Sequence, residues 1–398
     1  MKTRIAYLGI NGLPSKSGTE RVIEAIVKRL ADKYDLTAYC DSDYTPAETQ
    51  YEGVKLIRIR TFKGRHIKPI ILDIFSALHA VFFGNYDIIH MNGVENCFVI
   101  PLLRLRYKVI STSHGTPGRM PINKWSPTEH FLMRMAEYPF LYFSNYATAI
   151  SAMDVEYLHG QYRKKVIYIP NGVDIDIPIN RDIALLELSR LGITPHDFLL
   201  FAAGRIIQRK GAHILLEAFN KLNLDLPLVI IGDLAQVPDY EKRLKNLADG
   251  RRVFFIPAIE DRSTLFGLLD LCKLFVFPST AEGMSVMLLE AASLGIPMVC
   301  SDIPENTSVL GESVPYFQSG DPADLADKIR WALDNPQEVT GFVQSTKDWV
   351  RKNYSWDLIA SRYDTLYQQC VKGIPVSDVV IDPSVSRVTP TGHTTSRE

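Results

Sequence analysis

The chain is short of what would make it a disulfide scaffold, a metal module, a membrane span or a polyanion binder. It has five cysteines in 398 residues: Cys40, Cys97, Cys272, Cys300 and Cys370. An odd, scattered set without metal spacing excludes a disulfide framework and a zinc site. It reads as small core residues in a reducing, cytoplasmic setting. Formal net charge is −1, so no global field draws the chain to nucleic acid. No segment reaches the roughly 18–20 consecutive apolar residues that span a bilayer. The nearest, Pro69 to Gly84, is interrupted by Asp73, Ser76 and His79, and a buried helix is expected there. The opening MKTRIAYLGI starts directly on a strand, without the basic leader and apolar core of a secretory signal. No G-x-G-x-x-G follows that strand, which disfavours a nicotinamide-dependent dehydrogenase.

What is present is alternation. Strands are expected at Arg4–Gly9, Leu36–Asp41, Val54–Arg60, Asp87–Met91, Lys108–Ser113, Ala147–Ser151 and Val166–Ile169. Helices fill most gaps, notably Glu20–Lys33, Pro69–Phe83, Thr128–Phe143 and Asp154–Tyr162. The pattern then restarts, with strands at Phe198–Ala203, Leu228–Gly232, Val253–Ile256, Leu274–Pro278 and Met298–Asp302. Apolar runs alternating with amphipathic ones imply βαβ units and parallel sheets covered on both faces. The fold class is therefore α/β, two Rossmann-like doubly wound domains whose strand ends face each other across a cleft. Ligands bind at such strand ends. The expected layout is a first domain over 1–170, a hinge over 171–181 and a second domain over 182–354. An N-capped helix follows over 355–371, and a tail over 372–398 without periodicity is expected to be unstructured.

Chemistry concentrates in the second half. Phe198–Phe219 reads as an apolar strand, then Gly204-Arg205, then Arg209-Lys210-Gly211, then a new helix. Two cations in a Gly-punctuated loop at a helix N-terminus make an anion site, the alternative being a solvated basic loop. Downstream, Glu282 sits in the loop leaving an apolar strand, and Glu290 lies in a helix flanked by Leu288, Leu289, Ala291 and Ala292. A carboxylate among such neighbours is costly unless something hydrogen-bonds it. Either it turns to water or pairs with a neighbouring Arg or Lys, or a polyhydroxylated ligand supplies the donors.

GRIIQRKG followed by EGMSVMLLEA, with seven residues between Glu282 and Glu290, resembles the signature of the group 1 glycosyltransferases, the large retaining family with a GT-B fold. IPNGVD at Ile169–Asp174 is similar to its inter-domain hinge. The resemblance runs to about Cys370, weaker in the first half, and the helix near the C-terminus is expected, as in that family, to return to the first domain.

The resemblance implies a hexosyltransferase that takes a nucleotide-diphosphate sugar as donor and a saccharide or lipid-linked saccharide as acceptor. No cofactor and no metal are expected. Arg205 and Lys210 would stabilise the departing diphosphate. The DSD at Asp41–Asp43 follows the second strand of the other domain and is expected to be an ordinary loop. Glu290 would accept from the ribose hydroxyls and Glu282 from hydroxyls of the transferred sugar. The backbone amides of Gly283, Met284 and Ser285 would contact sugar and phosphate, and Gly204 belongs to the same donor loop. His114, ending a strand, would bind and polarise rather than act as base, against a plain structural role. The base is expected near Phe255–Ile259, where Pro257 replaces the family's usual Gly. Gly18, after Ser17, opens a helix where the family has Gly-Gly-x-Glu; a simple capped helix is the alternative.

Basic residues beside apolar helices (Lys63, Arg65, His66 and Lys68; Arg104, Arg106 and Lys108) suggest peripheral contact with the inner face of a membrane, or ordinary solvated charge. A nucleotide-sugar epimerase on the same fold is the competing activity.

Overall fold

Runs such as Ile88–Asn92 and Leu274–Phe277 bury every residue, the mark of strands covered on both faces. The computed structural model describes residues 2–16, 18–61, 67–120, 127–176, 178–312 and 314–378. The chain divides into two compact units. The first gathers the residues through Val173, the short segment Glu282–Val286 and the chain from Tyr354. The second holds Asp174–Ala281 and Met287–Asn353.

The first unit carries β1 (Arg4–Leu8), β2 (Asp35–Asp41), β3 (Gln50–Tyr51), β4 (Val54–Ile59), β5 (Ile88–Asn92), β6 (Lys108–Ser113), β7 (Tyr146–Ala149) and β8 (Ile167–Tyr168). They form one sheet in the order β3-β4-β2-β1-β5-β6-β7-β8. Only β3 runs antiparallel to its neighbour. The second unit carries β9 (Leu199–Arg205), β10 (Leu228–Asp233), β11 (Val253–Ile256), β12 (Leu274–Phe277), β13 (Met298–Ser301) and β14 (Tyr316–Phe317), in the order β11-β10-β9-β12-β13-β14. Every pair in this sheet is parallel. In both sheets the chain winds outward one way and then the other, so strand order reverses between β1 and β5 and between β9 and β12. Those reversals open the crevices where open α/β sheets take ligands.

Apolar residues cover the first sheet in two clusters. One packs Ile23, Ile26 and Val27 of the helix Gly18–Leu30 with Trp356, Ile359, Tyr363 and Tyr367 of the helix Trp356–Lys372. The other contains Leu72, Ala77 and Ala80 of the helix Ile67–Phe83. The C-terminal helix is also held by a buried polar chain. The Tyr367 hydroxyl lies 2.8 Å from that of Tyr7 and 2.7 Å from His90 Nδ1, and His90 Nε2 lies 2.7 Å from the Thr112 hydroxyl. Burial lowers the His90 pKa to about 3, so this imidazole is neutral. All five cysteines are buried free thiols.

Three expectations are corrected. The helix Ile67–Phe83 is not buried all round: Ile70, Ile74, Leu78 and Phe82, four residues apart, are exposed, Phe82 at 69%. The stretch expected as one helix over Thr128–Phe143 is two, Pro127–Met135 and Glu137–Tyr142. Order also continues past the expected start of the tail. The C-terminal helix includes Lys372 and a turn at Val376–Asp378 follows, with Val376 against the core and the Tyr146 hydroxyl donating to the Ile374 carbonyl. The later residues lie outside the described ones, as do Ser17, Lys63, Arg65 and His66. Among the described residues no helix is long and apolar enough to cross a membrane.

Candidate functional site

In the second unit the cation-bearing loop read from sequence meets the loop leaving β12, some seventy residues further on, at the strand reversal. Gly204 and Arg205 close β9 and are both exposed. After them Gln208–Lys210 makes a single tight turn ending at Gly211, whose φ is 74°. β12 pairs with β9, and the loop leaving it lies against this turn. The Thr280 amide donates to the Arg209 carbonyl at 2.8 Å, and Arg209 Nη1 donates to the Ala281 carbonyl at 3.0 Å. A Cβ on Gly211 would stand 1.9 Å from the Pro278 carbonyl oxygen. Close approach and positive φ both demand glycine. Lys210 is half-buried, with Nζ 5.9 Å from the Phe277 ring centre. The helix Ala212–Leu222 starts immediately afterwards, so its N-terminal amides add to the two cations as an anion-binding feature.

Glu290 is 5% exposed in the helix Val286–Leu294. Of the alternatives open in the sequence, the protein supplies an arginine: Glu290 Oε2 lies against Arg262 Nη2 in an ion pair. Neither atom has a partner in hydrogen-bond geometry, so the contact is a charge pairing rather than an aligned fork. The Arg262 guanidinium also stacks 4.8 Å from the Phe266 ring centre. Arg262 opens the helix Arg262–Asp270, whose cap Asp261 accepts from the amides of Ser263 and Thr264. It follows directly on the segment expected to hold the base, beyond β11. Nothing in spacing or periodicity singled it out. At the β10 end, Gly232 has φ 153° and its Cβ would lie 2.1 Å from the Ala203 carbonyl, so that turn too is closely packed.

In the first unit, His114 follows β6 directly. Asn92 fixes its tautomer. The Asn92 amide nitrogen donates to the carbonyls of Leu8 and His90 at 3.1 and 3.3 Å, turning Oδ1 to His114 Nε2 at 3.2 Å. Oδ1 can only accept, so Nε2 carries the proton and Nδ1 is left as an acceptor. Enclosure lowers the His114 pKa to about 4. The loop after it is braced from outside. Asp154, fully buried, accepts from Arg119 Nε at 2.7 Å and from the Thr116 amide at 3.0 Å. Glu137, also fully buried, accepts from the Gly118 amide at 2.6 Å and the Tyr162 hydroxyl at 2.7 Å. Neither carboxylate carries a sequence signal, because each is recognised only by loops it meets through the fold.

The segment Glu282–Val286 belongs to this first unit. Glu282 is 5% exposed. A Cβ on Gly283 would lie 2.9 Å from the His114 carbonyl oxygen. Asn171, in the expected hinge, donates through its side chain to the Met284 carbonyl at 3.0 Å. Gly283, Met284 and Ser285 immediately precede the helix Val286–Leu294 rather than opening it. Gly18 is the first residue of its helix and a Cβ there would meet open space. Lys68 pairs with buried Asp41 at 2.5 Å and with Asp43 at 3.2 Å, so the DSD segment is tied into the first unit by a lysine. Arg104 and Lys108 are spent on carbonyls, of Tyr107 and of Cys370 and Val371.

The model of the glycosyl transferases group 1 matches residues 187–354, and that of glycosyltransferase family 4 matches residues 16–177. D-rhamnosyltransferase WbpZ of Pseudomonas aeruginosa is 34% identical over 185 residues, 45% of this chain and 47% of that protein. O-antigen biosynthesis glycosyltransferase WclY of Escherichia coli is 21% identical over 379 residues, covering 93% of this chain and 99% of that one. Among solved structures, the sucrose-phosphate synthase of Thermosynechococcus elongatus superposes with a TM-score of 0.77 at 18% identity, over 92% of this chain and 99% of that one. Anabaena HepE in complex with UDP and glucose gives 0.76 at 18%, over 92% and 100%. The epimerase alternative finds no support in these matches. With two α/β sheets in the Rossmann order, parallel but for β3, the chain is a glycosyltransferase with the GT-B fold, its second half matching the group 1 model and its first half the family 4 model.

Proposed function

We propose that this glycosyltransferase moves a hexose-type sugar, with retention of configuration, from a nucleotide-diphosphate sugar to a saccharide or lipid-linked saccharide. The setting would be cell-surface polysaccharide or glycoconjugate assembly. The observation that carries the reading is the junction of the Arg205–Gly211 loop with the loop leaving β12, at the reversal between β9 and β12. A diphosphate there meets two cations and a helix N-terminus. The names of WbpZ and WclY, a rhamnosyltransferase and an O-antigen enzyme, support the process. HepE, holding UDP and glucose, supports the donor class.

In this reading the acceptor oxygen bonds to the anomeric carbon as the bond from that carbon to the diphosphate oxygen breaks. The acceptor's proton passes to the departing phosphate, on the same face of the sugar. Arg205 and Lys210 stabilise the charge left on the diphosphate, the role of positioned cations aimed where charge develops. Glu290 accepts from ribose hydroxyls, and Glu282 and the amides of Gly283, Met284 and Ser285 hold the sugar. His114, neutral and protonated on Nε2, accepts a sugar hydroxyl on Nδ1. No metal or other cofactor enters this scheme. The exposed apolar stripe of the helix Ile67–Phe83 supports a peripheral membrane seat for a lipid-linked acceptor.

The test is a panel of uridine, guanosine and adenosine diphosphate sugars incubated with reducing-end-labelled saccharides, read by mass spectrometry and anomeric proton couplings. A product with the donor's own anomeric configuration supports the proposal. Inversion overturns retention, and a donor isomerised without acceptor restores the epimerase.

A further inference from the structure

Arg262 lies outside both signature motifs, yet it is the cation against which Glu290 is buried. The carboxylate sits 5% exposed among Leu288, Leu289, Ala291 and Ala292. Ion pairing offsets much of the desolvation such a group suffers, and removing one partner strands the other. Three contacts hold Arg262: its place at the first helical position behind the Asp261 cap, the Phe266 ring under the guanidinium, and Glu290 itself. A planar guanidinium stacked on a ring is far less free to swing than a lysine ammonium. Arg262 pairs with Glu290 through Oε2, and in the ribose reading Oε1 is the oxygen that takes a ligand donor. We propose that Arg262 is a positioning residue for the ribose-binding carboxylate, fixing Glu290 in the orientation in which Oε1 accepts from the donor's ribose hydroxyls. The inference rests on the ribose role given to Glu290 above. It adds a residue that couples the base segment after β11 to the ribose contact, through one side chain.

The experiment measures binding of uridine, guanosine and adenosine diphosphates to the full chain by calorimetry, then of the 2′,3′-dideoxy form of whichever binds tightest. Arg262→Ala, Glu290→Gln and their double variant are compared, with Arg262→Met as a second variant that keeps the stem packed on Phe266. The expected result is that Arg262→Ala weakens the ribonucleotide about tenfold, or 1.4 kcal/mol, and leaves the dideoxy form within about twofold. The same substitution should cost nothing further once Glu290→Gln is present, and Arg262→Lys should recover part of the loss. Equal weakening of both nucleotides overturns the proposal, because Arg262 would then touch base or diphosphate itself. Unchanged ribonucleotide binding overturns it too. If Arg262→Ala does not fold, Arg262→Met must lose the ribose discrimination, and wild-type discrimination in it is a refutation. A wild-type chain that binds none of the diphosphates defeats the donor-site reading itself, and this inference with it.

Discussion

Gly211 passes so close to Pro278 that a single added methyl group would stand 1.9 Å from the proline carbonyl oxygen. The contact locks the cation-bearing loop onto the loop that leaves β12, and it joins two parts of the chain that sequence separates by 67 positions (278 − 211). Gly211→Ala would therefore meet both a clash and a φ of 74° that L side chains rarely adopt. The expected cost is about 1–3 kcal/mol of stability, with loss of nucleotide affinity. Thermal denaturation and calorimetric titration with nucleoside diphosphates check both.

The two cations should behave differently from the glycine. Arg205 is exposed and Lys210 half-buried, so neither supports a core. Arg205→Ala and Lys210→Ala should each lower kcat by about 10²–10³, the range for losing one preorganised charge-stabilising group. The melting temperature should stay near that of the parent. Steady-state kinetics with the true donor decides. Normal turnover in either variant removes that residue from the assignment.

The proposed charge compensation without a metal makes a separate prediction. Turnover should be unchanged after dialysis against EDTA and on addition of millimolar magnesium or manganese. A tenfold or larger drop that a divalent ion restores would show that the cations do not suffice.

Acid should destabilise the fold through its enclosed histidines. His90 and His114 have pKa values of about 3 and about 4, pushed down from 6.5 by burial. Between those values and 6.5 the unfolded chain binds more protons than the folded one, so stability rises with pH across the window and falls on acidification. For His90 the loss at pH 5 relative to neutrality is roughly 2 kcal/mol. His90→Gln should flatten the dependence of melting temperature on pH between 5 and 7. An unchanged slope would mean that His90 charges in the folded state.

The outward stripe of the helix Ile67–Phe83 gives the last prediction. Phe82 is 69% exposed, so Phe82→Glu should leave stability within about 0.5 kcal/mol. If the helix sits on a bilayer, the same change should release the protein from anionic phospholipid vesicles in a flotation assay. Equal flotation of parent and variant would remove this helix from membrane contact.

Much of the fold was legible because parallel strands bury both faces. Runs such as Leu228–Asp233 and Leu274–Phe277 stand out as apolar blocks between amphipathic ones. The two-residue strands β3 and β14 are too short to carry a period. The helix Ile67–Phe83 misled for a physical reason: uniform apolarity looks like burial whether the outer face meets protein or not.

Within the site, sequence alone determined the residue types and their order: a glycine–cation loop opening a helix, and two glutamates with seven residues between them, the second inside the next helix. Those features are local, because a loop between strand and helix has its amides and charges dictated by its own residues. Which groups meet was decided only by tertiary structure. Arg262 against Glu290, Asp154 and Glu137 behind the loop after His114, and Asn92 setting the His114 tautomer are all contacts between residues far apart in the chain. No period or spacing records such contacts. They exist because buried polar and charged groups must find partners wherever the fold brings one near.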